Sequence, residues 1–166
     1  MYITTAINYT NGPPHIGHAY EIICADIIAR FHKLYNKHVY FSTGTDEHGQ
    51  KIKDTAKNQN ITPIALCDYY VNKFKQLNES LNIGYDVFIR TTDQKYKDTV
   101  LMIWNKLLDQ GDIYLGYYKG WYNVREEKYV SLHDATKCQF MDTLSNKPLI
   151  QRKCSYFFKL SQYRNG

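Results

Sequence analysis

The stretch Asn11-Gly12-Pro13-Pro14-His15-Ile16-Gly17-His18 limits what this chain can fold into more than any other part of it. It lies between an apolar extended run at residues 3–9 and a helical pattern that begins near Ala19, so the backbone must pass from strand through a tight turn into a helix. A turn built on glycine and paired proline brings backbone amides and two imidazoles to a helix N-terminus. Aligned peptide dipoles and free N–H groups favour a phosphate there. The residues by themselves point to a nucleotide-triphosphate site. Over residues 18–35, Tyr20, Ile23, Cys24, Ile27, Phe31 and Leu34 recur at three- and four-residue steps and predict an amphipathic helix with that stripe buried.

A second extended run, residues 38–43, ends in Gly44-Thr45-Asp46-Glu47-His48-Gly49. Strand, helix and strand with a crossover of this length imply parallel pairing and a right-handed connection. Residues 3–9 lack strict alternation and are expected to be a central strand covered on both faces. Ligands of open parallel sheets bind beyond the carboxyl ends of the strands, which is where both loops lie. The two glycines are expected to let the second loop turn sharply while it presents Asp46. Asp46 suits a cationic group such as an amino-acid ammonium; on spacing alone it suits equally well the cap of a short helix beginning near Gln50. His48 reads as structural.

Thr62-Pro63 then supplies a cap and a first-turn proline for a helix whose stripe is Cys67, Tyr70, Val71, Phe74, Leu77 and Leu81, with Gly84 as its stop. A short strand follows at residues 86–90. Thr91 and Gln94 form a capping-box pattern before Tyr96, Val100, Ile103, Trp104 and Leu107, and Gly111 ends that helix. Residues 1–111 therefore read β-α-β-α-β-α. The fold class expected is α/β, the first half of a doubly wound, Rossmann-type parallel sheet with helices on both faces. Past Gly111 the aromatic runs at 113–118 and 121–129, split by Lys119-Gly120, predict antiparallel strands in a small β element, with a domain boundary near 112. Residues 131–147 show little periodicity, and 156–160 return as a short apolar run.

Composition excludes several classes. At 166 residues, 43% hydrophobic and 22% charged, the chain is globular and long enough to bury a core. The net charge of +5 is uneven: residues 101–166 carry ten Lys/Arg against six Asp/Glu, which biases that part weakly toward polyanions or simply makes a solvated basic face. Cys24, Cys67, Cys138 and Cys154 have no paired spacing, so they read as reduced thiols and not as a zinc site. There is no secretory leader pattern and no apolar stretch of membrane-spanning length, and a soluble cytoplasmic protein is expected, with an organelle as the alternative.

The run Thr4-Thr5-Ala6-Ile7-Asn8-Tyr9 through His15-Ile16-Gly17-His18-Ala19-Tyr20, followed by Thr43-Gly44-Thr45-Asp46-Glu47-His48-Gly49-Gln50, resembles the N-terminal part of the methionyl-tRNA synthetase family of class I aminoacyl-tRNA synthetases. Phe88-Ile89-Arg90-Thr91-Thr92, Gly111-Asp112-Ile113-Tyr114, Gly120-Trp121-Tyr122 and Tyr156-Phe157-Phe158-Lys159-Leu160-Ser161 resemble it in order. The resemblance implies activation of methionine by ATP, with Mg²⁺ accompanying ATP as substrate, and transfer of the methionyl group to tRNA(Met). By position in the motifs, His15 and His18 would be catalytic. Asn11, Pro14, His15, Gly17, His18 and Glu21 would contact ATP, Gly17 leaving room for the adenine. Ala6, Ile7, Tyr9 and Asp46 would contact methionine.

Two departures qualify the resemblance. Many members carry a zinc knuckle of cysteine pairs, whereas this chain has Asn123, Arg125 and Glu126 in that region, so residues 112–166 are expected to form a connective domain without zinc, complete or not. No lysine-rich KMSKS-type loop, second half-sheet or anticodon-binding domain is present, so the chain is expected to be an N-terminal fragment inactive in adenylate formation. The alternatives are a small nucleotidylyltransferase with an H-x-G-H turn, or a non-catalytic RNA-binding fragment using Arg152, Lys153, Lys159 and Arg164.

Overall fold

The computed structural model describes residues 1–118, 120–152 and 155–164; Lys119, Lys153, Cys154, Asn165 and Gly166, which enter the expectations above, lie outside the described residues. Packing divides the chain into two compact units, Met1–Thr99 and Val100–Gly166. The boundary expected near 112 marks a different event, the change from helix to antiparallel strand. Among the described residues no helix is long and apolar enough to cross a membrane.

In the first unit β3 (Tyr40–Asp46) is the middle of a parallel sheet. Ser42 pairs with both Thr4 and Val87, and Thr45 with both Asn8 and Arg90, so β1 (Tyr2–Thr4) and β2 (Asn8–Tyr9) share one side of β3 while β4 (Val87–Arg90) takes the other. The expected central strand at residues 3–9 is thus two short strands at the edge of the described sheet. The break has a local cause. Four steps from Thr4 to Asn8 match three from Ser42 to Thr45, a one-residue bulge that kinks the strand. The side chain of Glu21 accepts the Ala6 amide within the bulge, at 2.9 Å, and the Thr5 and Thr43 hydroxyls bond across it at 2.8 Å.

Gly44 is not a turn residue. It sits in the interior of β3, where an added Cβ would stand 2.0 Å from the carbonyl oxygen of Ile89 in β4. Gly49 is the one that needs glycine for its backbone, with φ +117°. The loop is therefore only Glu47-His48-Gly49, and α2 (Gln50–Asn58) follows with Gly49 as its cap residue and no side-chain cap.

Helix α1 (Ile16–Leu34) buries Ala19, Ile22, Ala25, Asp26 and Ala29. The stripe expected to be buried faces elsewhere: Tyr20, Ile27, Phe31 and Leu34 are exposed, Ile23 and Cys24 half-buried. The helix carries two apolar faces, and the one with small residues brings its backbone close to Ile3 and Phe41, with Leu81, Ile83 and Tyr85 completing the cluster. Asp26 within this face accepts from Arg30 Nε at 2.6 Å and from the Gly84 amide at 2.9 Å, tying α1 to the approach to β4.

Helix α3 (Pro63–Ser80) starts as its sequence suggests, Thr62 Oγ1 accepting the Ala65 amide at 3.2 Å, and buries Leu66, Cys67, Val71, Phe74 and Asn78. Its stop is Asn82 in the left-handed region, φ 52°, and not Gly84. Leu66 and Cys67 pack with Ile52 and Ala56 of α2. The Thr91–Gln94 capping pair does not form, because Thr91 is buried with its hydroxyl accepting the Glu47 amide at 2.9 Å while Gln94 reaches Asp98. Helix α4 (Gln94–Asp109) buries no residue and ends at Gly111, φ +71°.

In the second unit the run 121–129 is a hairpin. β6 (Gly120–Asn123) pairs antiparallel with β7 (Lys128–Val130) and with β8 (Ile150–Arg152), while β5 (Ile113–Gly116) pairs with β9 (Ser155–Phe158). Between them lies α5 (Leu132–Lys137), with Ala135 fully buried. The architecture is a Rossmann-like parallel sheet with flanking helices, followed by small antiparallel sheets.

Glu47, at the carboxyl end of β3, ties these elements together. Its fully buried carboxylate accepts from Arg90 Nε at 2.7 Å, Arg90 Nη2 at 3.0 Å, Thr45 Oγ1 at 2.7 Å and Thr92 Oγ1. Arg90 also reaches Asp68 of α3 at 2.6 Å. Burial alone would raise the Glu47 carboxyl, but the bonds from Arg90, Thr92 and Thr45 outweigh it and hold the group below its usual range.

Two outcomes follow from this packing. Gly44→Ala forces β3 and β4 apart and is expected to cost on the order of 3 kcal/mol in urea denaturation. Glu47→Gln leaves Arg90 with one carboxylate partner and is expected to cost about 3 kcal/mol. Because the folded-state pKa of Glu47 is depressed, its contribution is complete above the ordinary carboxylate range and disappears as pH falls through the lowered value. Denaturation followed from pH 7 downward should show that loss in the parent chain and a smaller one in Glu47→Gln.

Candidate functional site

Helix α1 begins with a cap made by two histidines. His15 is the cap residue, extended at φ −136° and ψ 177°, and its Nδ1 accepts the Gly17 amide at 3.1 Å. In return His18 Nδ1 accepts the His15 amide at 3.1 Å. This is the reciprocal logic of a capping box, with imidazoles in place of hydroxyl and carboxylate. The rings stack at a centroid distance of 3.8 Å, and Phe74 of α3 presents an edge to His18 at 5.1 Å. Burial and then the adjacent His15 hold the His18 imidazole below its usual value, against a smaller opposing pull from Glu21. With no carboxylate in its first turn, the helix start keeps its positive end uncompensated.

An open cleft of about 570 Å³ lies over this cap, lined by Ile7, Asn8, Tyr9, Asn11, Gly12, Pro13, Pro14, His15 and His18. Of the residues expected to bind nucleotide, Asn11, Pro14, His15 and His18 line it. Gly17 is not among the lining residues: its amide serves the cap, and an added Cβ would stand 3.0 Å from His15 Cε1. Glu21 sits one turn further on, with its carboxylate on the Ala6 amide. Of the residues expected at methionine, Ile7 and Tyr9 line the cleft and Ala6 is exposed in the bulge beside it.

Asp46 ends β3 opposite Tyr9 in the ladder, and its carbonyl accepts the Thr10 amide at 3.4 Å. Its half-exposed side chain takes the His48 amide at 3.3 Å and does not cap α2. The two loops therefore leave the same edge of the sheet side by side. His48 is held by its ring nitrogen at 3.2 Å from the Thr91 carbonyl, in keeping with a structural role.

Several contributors escape sequence reasoning. Thr10, fully buried, donates to Cys67 Sγ at 3.0 Å, and that thiol lies 3.9 Å from the Glu47 carbonyl, so α3 bridges the two loops. Burial pushes the Cys67 thiol up, which keeps it a protonated packing residue. The only signal for the Glu47 network was Arg90-Thr91-Thr92, a cation and two hydroxyls directly after a strand. Among the described residues no cluster of His, Cys, Asp or Glu could hold a metal ion. Asn123 and Asp142 instead bond each other at 3.1 Å, and Arg125 clasps Asp142 through Nε at 2.7 Å and Nη2 at 3.0 Å. The guanidinium and the Ser145 hydroxyl hold the Asp142 carboxyl far below the usual range.

Known proteins resemble this chain in sequence and fold. The pattern of the family described as tRNA synthetases class I (M) matches residues 1–139. A methionine–tRNA ligase of Rickettsia felis is 44% identical over 164 residues, 99% of this chain and 32% of the relative. Methionine–tRNA ligase 1 of Bacillus cereus is 42% identical over 177 aligned residues, covering 98% of this chain and 26% of the relative. The solved Mycobacterium tuberculosis methionyl-tRNA synthetase bound by methionyl-adenylate superposes with a TM-score of 0.84 at 40% identity, covering 98% of this chain and 33% of that one. This chain thus spans about a quarter to a third of the length of these relatives. With the family pattern covering most of its length and the histidine-capped helix in place, the chain belongs to the class I (M) tRNA synthetases.

Proposed function

We propose that this chain supplies the nucleotide-binding half of a methionine-activating site, as part of a methionine–tRNA ligase. The observation that carries the reading is the cleft over the histidine cap, with the Asp46 loop leaving the sheet beside it. In the reaction the methionine carboxylate attacks the α-phosphorus of ATP, forming a mixed anhydride and releasing pyrophosphate; a hydroxyl of the terminal ribose of tRNA(Met) then attacks the anhydride carbonyl, taking the methionyl group as an ester and releasing AMP. The work asked of the protein is positioning and stabilisation of charge on the phosphates. His15 and His18, with the amides of the first turn of α1, face the accumulating negative charge, and Mg²⁺ enters with ATP as substrate. Asn11 and Pro14 shape the same wall. Gly17 acts by keeping the cap compact, and Glu21 by holding the bulge that sets Ala6 and Ile7. Ile7 and Tyr9 offer apolar and aromatic contact to a thioether, and Asp46 offers a carboxylate to the ammonium.

Residues 112–166 are read as a connective domain without zinc. In support, Asn123 and Arg125 of that region are engaged with Asp142 in hydrogen bonds of their own. The 166 residues alone are read as binding ligand without turning it over, since they span about a quarter to a third of the relatives.

Thermal denaturation tests the reading. A non-hydrolysable methionyl-adenylate analogue is expected to raise the melting temperature of the chain, and Asp46→Asn or His18→Ala to weaken its binding by about tenfold, the scale of one hydrogen bond to a charged group. Protection by nucleotide alone, with no effect of methionine, would instead indicate a nucleotidylyltransferase. Salt-dependent tRNA binding without methionine affinity would indicate an RNA-binding fragment. Methionine-dependent ATP–pyrophosphate exchange by the isolated chain is expected to stay at background; robust exchange would overturn the half-site assignment.

A further inference from the structure

We propose that His15 and His18 meet an anionic ligand as neutral Nε2–H donors, in tautomers fixed by the start of α1, and that Phe74 is the positioning residue that keeps them so. The ligand class rests on the nucleotide reading above. The tautomers rest on hydrogen bonds within the chain alone.

A backbone N–H can only donate. The Gly17 amide points at His15 Nδ1 and the His15 amide at His18 Nδ1, each at 3.1 Å, so both Nδ1 atoms must present lone pairs. In a neutral ring the proton is then on Nε2, the nitrogen left for a ligand. Protonating either Nδ1 breaks one cap bond and leaves an amide at the helix entrance without its acceptor. Charging both rings would also place two cations face to face at 3.8 Å. Glu21, one turn along the helix, is the carboxylate that acts on His18, and it is engaged by the Ala6 amide. An anion over this cap is therefore held by directional donors and helix amides, without proton uptake by the imidazoles.

Phe74 sets the ring planes. It is 3% exposed on α3, and its ring meets His18 edge-on at an interplanar angle of 76°. The His18 ring that meets Phe74 also stacks on His15 and takes the His15 amide. Phe74 does not line the cleft, so it acts through the histidine and not on the ligand.

The test is a long-range proton–nitrogen NMR spectrum of the histidines in the full ¹⁵N-labelled chain at neutral pH, alone and with MgATP. His15 and His18 are expected to show unprotonated Nδ1 and protonated Nε2, with Nε2 moving and Nδ1 staying unprotonated when MgATP is added. A protonated Nδ1 on either residue, free or bound, overturns the proposal. Phe74→Leu is expected to mix the tautomers of His18, and Phe74→Tyr, which keeps the ring edge, to restore them; unchanged tautomers in Phe74→Leu overturn the role given to Phe74. Should Phe74→Leu fail to fold by circular dichroism, Gly17→Ala decides: it favours the helix yet crowds the His15 ring, and it must release the His15 tautomer while helicity is retained. If it does not, the cap is not what fixes the ring. Fixed tautomers with no Nε2 response to MgATP would mean that the nucleotide reading has failed and the cap assignment has held.

Discussion

The carboxylate of Glu47 is removed from water at the point where β3 ends, and a buried charge there is tolerable only if its lone pairs are taken up. Arg90, Thr45 and Thr92 do that, and each comes from a different place in the chain: the end of β4, the interior of β3 and the loop before α4. Arg90 carries the connection on to Asp68 in α3, and the Glu47 backbone carries it to Thr91 and Cys67. The two site loops are thus set by one neutralised charge and its neighbours. Asp46, next to it in sequence, remains half-exposed, its side chain on the neighbouring His48 amide.

The start of α1 shows the same division of labour on a smaller scale. A helix entrance needs acceptors for its first amides, and most helices take them from serine, threonine or aspartate. Here the acceptors are the δ nitrogens of two histidines, so the groups that cap the helix are also the groups that line the cleft. Gly17 fits the same economy: a methyl at that position would press on His15 itself. The bulge between β1 and β2 serves the site as well, since Glu21 reaches across it to Ala6 and leaves Ile7 and Tyr9 at the cleft.

Much of this was legible in the residues. The alternation of strands and helices to Gly111, apart from the split first strand and the separate α2, the parallel pairing, the proline-started α3 and the place of the two histidines follow from periodicity and punctuation, which are local properties of the chain. Other features were not. α1 has apolar residues on two faces, and periodicity favoured the bulkier set, Tyr20, Ile27, Phe31 and Leu34, whereas packing against Ile3 and Phe41 selected the smaller Ala25 and Ala29. Gly44 looked like a turn because glycine usually marks one; its reason is a carbonyl from another strand. The antiparallel strands after Gly111 were expected without assigned partners, and β5 pairs with β9 some forty residues later, a choice that depends on closing a long loop and leaves no local trace.

The sequence by itself determined where the chemistry-bearing residues stand on their elements: His15 and His18 at a helix entrance, Asp46 and Glu47 at a strand end, and the family these motifs belong to. Only the tertiary structure decided which carboxylate is buried and which stays half-exposed, which face of α1 is inside, and which nitrogen of each histidine accepts a backbone amide. The reason is that burial and hydrogen-bond partnership are properties of pairs distant in the chain. Glu47 and Arg90 are forty-three residues apart and become one unit only when β3 and β4 lie side by side.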